Sequence, residues 1–196
     1  MHLQLECYLS PIGEIILVSD ERGALRSLDF ADYRARMERL LRAHYGSYQI
    51  EESPNRYGHG AALDAYFAGD LSAFDGGQFA TGGTAFQRDV WSALREIPAG
   101  TTVSYGALAT RMGRPGSARA VGTANRENPI GIVVPCHRVI GANGQLTGYA
   151  GGLERKRWLL AHEAKWAHPA QLAEKPGAMT SKKHSGLTTP SPAHHA

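Results

Sequence analysis

Apolar and polar residues alternate along residues 3–9, which predicts a strand at the start of the chain. Turn-forming residues at 10–13 and 20–23 divide the first 30 residues into three strands of a β-meander. The residues that share one face of the first strand are Leu3, Leu5, Cys7 and Leu9. We therefore expect Cys7 to be buried among leucines as a small hydrophobic residue.

The apolar spacing then changes to intervals of three and four residues, which is typical of helices. It predicts helices over residues 32–45 and 58–67. Strands followed by helices indicate an α+β unit. After a glycine-containing segment, Thr84 and Gln87 match a capping box, and the helix they open ends before Pro98.

Two further helices are predicted over residues 105–112 and 115–125, joined by a short turn that contains glycine and proline. This spacing is typical of a helix-turn-helix, and of plain structural hairpins as well. A strand over residues 131–134 precedes Pro135, and a last helix covers 153–165.

Three segments follow from these patterns: an N-terminal α+β domain over residues 1–80, a mostly helical domain over 81–166, and a tail over 167–196. The tail contains four prolines and four histidines but no aromatic residue, so we expect it to be disordered.

Charge and composition narrow the possible functions. The chain has 196 residues and a net charge of +3, yet residues 1–80 carry −5 and residues 81–166 carry +6. A basic second half suggests a polyanionic partner such as DNA. There is no apolar run long enough to span a membrane, no leader pattern and only two cysteines, which predicts a reduced, cytoplasmic protein without membrane contact.

Cys136 is the first candidate for chemistry. It follows a predicted strand and Pro135, and His137 and Arg138 come directly after it. Cationic neighbours favour the nucleophilic thiolate, whereas an isolated cysteine is usually a buried hydrophobic residue. From the residues alone, both interpretations of Cys136 remain open, and Glu163 reads equally well as an exposed helical carboxylate.

Several motifs in the second half together resemble the active-site domain of the O6-alkylguanine-DNA alkyltransferases, of the bacterial constitutive type. Pro135-Cys136-His137-Arg138 matches the reactive-cysteine motif of that family. The accompanying matches are Val103-Ser104-Tyr105-Gly106, Ala118-Arg119-Ala120-Val121-Gly122, Asn128-Pro129, Tyr149-Ala150-Gly151-Gly152-Leu153 and Trp158-Leu159-Leu160-Ala161-His162-Glu163. The resemblance implies an α+β protein with a ribonuclease H-like first domain and a winged-helix-like DNA-binding second domain.

The resemblance also implies a reaction. Cys136 accepts an alkyl group from O6-alkylguanine, with O4-alkylthymine as a further possible substrate, His137 acts as base through a water, and Glu163 orients His137. The thioether product has no activated carbonyl, so we expect one transfer per chain and no turnover. No cofactor is implied. Some relatives bind zinc near the N-terminus, but His2 and Cys7 do not make a four-ligand set, so we expect no metal.

The expected partner is double-stranded DNA with an alkylated base flipped out of the stack. Arg119 resembles the arginine finger that fills the gap, on a helix that lies in the minor groove. The small residues expected to let this helix approach DNA are Ala118, Ala120, Gly122 and Ala124. We expect a monomer in the absence of DNA.

The remaining implied roles surround the flipped base. Tyr105 donates to guanine N3, Asn128 braces the cysteine turn, and the Val139 carbonyl accepts from the guanine amino group. Tyr149 and Ala150 wall the pocket, with the Ala150 amide reaching O6. Residues 1–80 are assigned no chemistry.

Three other functions remain to be weighed against alkyl transfer. A non-enzymatic binder of alkylated DNA would lack the reactive cysteine, which is present here as Cys136. A sequence-specific regulator would need longer polar side chains on its reading helix. A Cys-His-Glu hydrolase would turn over many times and would need no basic surface.

Overall fold

The computed structural model describes residues 1–53 and 57–173. Its N-terminal part is a four-stranded sheet of β1 (His2–Ser10), β2 (Gly13–Asp20), β3 (Leu25–Phe30) and β4 (Gln49–Glu52), in the order β3-β2-β1-β4. The predicted meander forms β1 to β3. The prediction missed β4, which pairs parallel with β1. Its sequence QIEE carries a single apolar residue and gave no alternating signal.

Helix α1 (Arg34–Tyr45) follows a short 3-10 turn and covers one end of this sheet. Met37 and Leu41 pack there against Leu3 and Leu5. The prediction that Cys7 is buried was wrong, because the far end of β1 extends past this cover and leaves the Cys7 thiol exposed.

Seven further helices and strands follow in the described part of the chain. Their bounds are α2 (His59–Ala68), α3 (Ala85–Arg95), β5 (Val103–Ser104), α4 (Tyr105–Arg111), α5 (Ala118–Arg126), β6 (Val139–Ile140) and α6 (Leu153–Ala173). The capping box of Thr84 and Gln87 is present at the start of α3, as predicted. Helices α4 and α5 form the predicted helix-turn-helix, and the Trp91 indole of α3 donates to the Ala124 carbonyl of α5 at 2.9 Å.

Three boundaries differ from the prediction. Residues 131–134 form a turn rather than a strand. Helix α5 begins at Ala118, because residues 115 and 116 belong to the preceding turn. Helix α6 continues past residue 165 to Ala173, since Trp166 packs against Gly69 and Ala167 against Gly100. The remainder of the predicted tail, residues 174–196, lies outside the described residues.

The two halves are joined at the end of α5. Arg36 of α1 donates to the carbonyl of Arg126 and, at 2.9 Å, to that of Asn128. Arg39, also on α1, pairs with Glu127 at 3.0 Å. We call Arg36 and Arg39, together with their partners at residues 126–128, the α1 clasp. It attaches the end of the helix-turn-helix to the N-terminal sheet domain.

Strand β3 adds a second connection between the halves. The Leu28 amide donates to the Pro129 carbonyl, and the Gly131 amide donates to the Leu28 carbonyl, both at 2.9 Å. The chain on the approach to Cys136 is therefore bridged to the edge of the sheet. The mixed sheet and helices confirm the α+β class. None of the helices in the described part of the chain is long and apolar enough to cross a membrane.

Candidate active site

Cys136 is presented by a tight reversal of the backbone between α5 and β6. Ile132 has φ of +65°, and the Val133 amide donates to the Gly131 carbonyl at 2.7 Å, which closes a γ-turn. Pro135, with φ −80° and ψ 62°, is the centre of an inverse γ-turn closed by the Cys136 amide and the Val134 carbonyl. Cys136 then begins a 3-10 turn that leads directly into β6.

Asn128 holds this reversal from inside. Its side-chain amide donates to the Val134 carbonyl at 2.8 Å, and its Oδ1 accepts from the Ile130 amide at 3.1 Å. Asn128 is buried, so these two bonds replace the water it gave up. Asn128 thus connects two backbone groups on the approach to Cys136.

His137 and Glu163 form a buried pair. The Nε2 of His137 and the Oε1 of Glu163 lie 2.8 Å apart, and neither side chain is exposed. Arg138 adds two bonds to the same carboxylate, at 2.8 and 2.9 Å. Burial alone would raise the pKa of Glu163, but the contacts with His137 and Arg138 outweigh it and hold the pKa well below its usual range. The interpretation of Glu163 as an exposed carboxylate was wrong.

The state of His137 follows from this contact. Burial lowers its pKa, and Glu163 opposes that shift only in part. The imidazole is therefore neutral near pH 7, with its proton on Nε2 facing Glu163. The buried Nδ1 has no hydrogen-bond partner among the residues described. His137, the residue that follows Cys136 in the sequence, thus offers one basic nitrogen without a hydrogen-bond partner in the described part of the chain.

Cys136 is 3% exposed, and burial raises the pKa of its thiol. The predicted cationic surroundings are weaker than the sequence indicated, because the Arg138 guanidinium is committed to Glu163 and to the Ile97 carbonyl. Arg36 and Lys156 lower the Cys136 pKa only in part. The resting group is a thiol, so attack by sulfur requires a base.

A cavity of about 530 Å³ lies between α5, α1 and the segment before α6, and Cys136 itself is not among its lining residues. Partly buried Tyr105 and Tyr149 are among its walls, and a negative charge on Cys136 would raise the pKa of both tyrosines. Burial raises the pKa of each tyrosine, so both hydroxyls keep their protons and can donate. Ala150 and exposed Arg119 also line the cavity.

The small residues of α5 divide into two groups. Gly122 lines the cavity, where an added Cβ would lie 3.8 Å from the Tyr105 ring, and Ala118 and Ala120 are at least partly exposed. Ala124 differs from the prediction: it is buried in the core beneath Trp91 and does not belong to the outer face. The helical period turns Ala124 inward, two residues beyond Gly122.

Lys156 is a buried residue of this site that the sequence interpretation missed. Its Nζ donates to the carbonyls of Val139 at 2.6 Å and Thr147 at 2.8 Å. Burial lowers its pKa to about 8. The Val139 carbonyl predicted to accept from guanine thus already has one donor. In the sequence Lys156 stands between Arg155 and Arg157, so it resembles one more charged residue of an exposed helix face.

The described residues contain no group of three or more His, Cys, Asp or Glu side chains arranged to hold a metal ion.

Comparison with known proteins gives consistent matches over both halves. A family model described as 6-O-methylguanine DNA methyltransferase, ribonuclease-like domain, matches residues 4–79. The model of the DNA binding domain of the same methyltransferase matches residues 85–165.

Similar whole proteins cover most of the chain. A methylated-DNA–protein-cysteine methyltransferase of Salmonella typhimurium is 53% identical, over 83% of this chain and 96% of that protein. The relative of the same name from Methanosarcina acetivorans is 47% identical, over 79% of this chain and 94% of its own. The crystal structure of Mycobacterium tuberculosis O6-methylguanine methyltransferase has a TM-score of 0.73 at 41% identity, covering 88% of this chain and 99% of that one. The structure of M. tuberculosis OGT in complex with DNA has a TM-score of 0.71 at 43% identity, covering 84% and 94%.

Proposed function

Because the chain belongs to the 6-O-methylguanine DNA methyltransferase family, we propose that Cys136 is the alkyl acceptor of its repair reaction, with its sulfur attacking the alkyl carbon on guanine O6. As a member of this family the protein binds DNA and repairs it by direct alkyl transfer. The observation that carries the assignment of residues is the buried pair of His137 and Glu163, which leaves one imidazole nitrogen without a partner among the described residues, on the residue that follows the protonated Cys136 thiol in the chain.

The reaction transfers one carbon between two nucleophiles. The Cys136 proton passes through a water to Nδ1 of His137, while Glu163 stabilises the imidazolium from the other side of the ring. A bond forms between sulfur and the alkyl carbon, and the bond between that carbon and O6 breaks with its electron pair remaining on guanine. The proton finally returns to the guanine, which leaves neutral.

Tyr105 and the pocket walls act on the leaving base. The protonated Tyr105 hydroxyl donates to guanine N3, where negative charge develops as the alkyl group departs. Tyr149 and Ala150 confine the ring, and the Ala150 amide reaches O6. Lys156 already donates to the Val139 carbonyl, so the guanine amino group shares that acceptor through its second lone pair.

DNA reaches the site through base flipping. The Cys136 turn is buried, so a base within a duplex must leave the stack to approach it. Exposed Arg119 fills the gap, and α5 enters the minor groove with Ala118, Ala120 and Gly122 on its outer side. We propose that the protein acts as a monomer, in the cytoplasm, on DNA containing O6-alkylguanine.

Intact mass spectrometry tests the assignment. The protein is mixed with a duplex containing O6-methylguanine, and we expect a mass gain of one methyl replacing one hydrogen, once per chain. Cys136→Ala abolishes the gain, and Cys7→Ala, the matched control at the other cysteine, leaves it unchanged. Product in molar excess over protein would indicate a hydrolase. Binding of the lesion without any mass change would indicate the non-enzymatic binder.

A further inference from the structure

The Glu163 carboxylate receives hydrogen bonds from both halves of the chain. His137, Arg138 and the Gly100 amide approach it from the second half. These groups make four bonds, because Arg138 donates twice. The fifth bond comes from the first half: the Tyr66 hydroxyl, on α2, donates to Oε1 at 3.0 Å. The sequence interpretation assigned residues 1–80 no chemistry, yet one of their side chains touches the carboxylate that orients His137.

Tyr66 is held so that its hydroxyl has a fixed direction. The side chain is 1% exposed, and its ring packs against those of Phe74 and His162, with centroids 5.6 and 5.2 Å away. Its carbonyl accepts from His162 Nε2 at 2.9 Å. Burial and the negative charge of Glu163 raise the pKa of Tyr66 well above its usual value, so the hydroxyl remains a donor.

The shared oxygen gives this bond a chemical consequence. Oε1 of Glu163 accepts from Tyr66 and also faces Nε2 of His137. The positive end of the tyrosine O–H dipole therefore lies close to the imidazole and opposes a second proton on that ring. The other groups that bear on the imidazole are Arg138, Lys156, the Tyr149 ring and the Gly100 amide, and they are unchanged when only the Tyr66 hydroxyl is removed.

We propose that Tyr66 is a positioning residue for alkyl transfer, whose hydroxyl fixes the Glu163 carboxylate and thereby sets the orientation and basicity of His137. The inference rests on the proposed function, because His137 matters only if Cys136 is the acceptor. It makes the N-terminal domain a contributor to the reaction as well as a support.

The test is the pH dependence of single-turnover transfer from a duplex containing O6-methylguanine. In Tyr66→Phe the imidazolium loses the opposing dipole, so the acidic limb of the rate profile moves upward by about 0.5 to 1 pH unit. DNA affinity stays at the wild-type value. The matched control is Tyr8→Phe, which removes a tyrosine hydroxyl bonded at 2.8 Å to a different carboxylate, that of Asp64 on α2. Its acidic limb coincides with that of the wild type.

A second variant keeps the test decisive if Tyr66→Phe folds poorly. Site-specific 3-fluorotyrosine at position 66 has a more acidic hydroxyl, a stronger donor, so it moves the acidic limb downward. Coinciding profiles for the wild type and the position 66 variants, or a loss of active protein without a shift, would overturn the inference. A wild-type protein that transfers no alkyl group would refute the proposed function instead.

Discussion

Replacement of Lys156 by methionine removes a cation from the interior while preserving most of its volume. The wild-type ammonium is fully buried, and its hydrogen bonds go to two neutral carbonyls, those of Val139 and Thr147. Two effects oppose each other in Lys156→Met. The cost of burying a charge disappears, whereas two buried carbonyls lose their donor, at about 1 to 3 kcal/mol each.

Only the first effect depends on pH, which allows the two to be separated. The pKa of Lys156 falls from 10.5 in the unfolded chain to about 8 in the folded protein. Below pH 8 the folded state carries the full penalty, and the penalty is relieved as pH rises from 8 towards 10.5. Integrated between pH 7 and pH 10, Lys156 adds about 2.5 kcal/mol to the free energy of unfolding of the wild type. The methionine variant lacks this gain.

Urea denaturation of both proteins at pH 7 and pH 10 measures the difference. We expect the wild type and Lys156→Met to be close in stability at pH 7, and the wild type to be more stable by an additional 2.5 kcal/mol, approximately, at pH 10. Comparison of the two proteins cancels the titration of the tyrosines, and carrying it out in a Cys136→Ala background removes the titration of Cys136, whose pKa Lys156 lowers. Lys165→Met, the same change at an exposed lysine of α6, is the control and should show no such divergence. A stability difference that is equal at both pH values would refute the reasoning.

Three other variants test the site. Arg119→Ala should slow transfer from duplex DNA about tenfold or more relative to transfer from the free modified base, and equal slowing of both rates would contradict the finger role. Asn128→Ala should lower the free energy of unfolding by about 1 to 3 kcal/mol and slow transfer, because two backbone partners in the cysteine turn lose their bonds; unchanged thermal unfolding would exclude the bracing role. Glu163→Gln should cost about 3 to 5 kcal/mol at pH 7, since it leaves the Arg138 charge uncompensated. The pKa of Glu163 is lowered, so the stability it contributes is lost as the pH falls, and the deficit of the variant should shrink near pH 4 in urea unfolding.

The sequence contained enough to predict the chemistry, because that chemistry is concentrated in contiguous motifs. Tyr105 immediately follows β5, and Val103 of β5 pairs with Val139, three residues after Cys136. Local sequence could not place Glu163 or Lys156 inside the protein, because both are charged residues on a helix and only the tertiary packing shows which face is covered. Nothing in the sequence indicated a role for Tyr66 in the reaction, because its segment contains no motif for that chemistry.

The fold was predicted where a local signal decided it and missed where a distant partner did. The capping box of Thr84 and Gln87 fixes its helix within four residues. In contrast, the alternation that put Cys7 with the leucines was correct about the face but contained nothing about how far α1 extends over it. The β-branched run at 131–134 has strand propensity, yet Asn128 and the bridge to Leu28 bend it into a turn.

The α1 clasp has a consequence for fragments of this protein. A polypeptide starting at residue 81 would retain Cys136, His137 and Arg119, but it would lack Arg36, which bonds to the Arg126 and Asn128 carbonyls, and Arg39, which pairs with the Glu127 carboxylate. The angle at which α5 would approach DNA therefore depends on contacts from the N-terminal domain, which itself need not touch the damaged base. Removing that domain would leave the reactive residues without the contacts that orient α5.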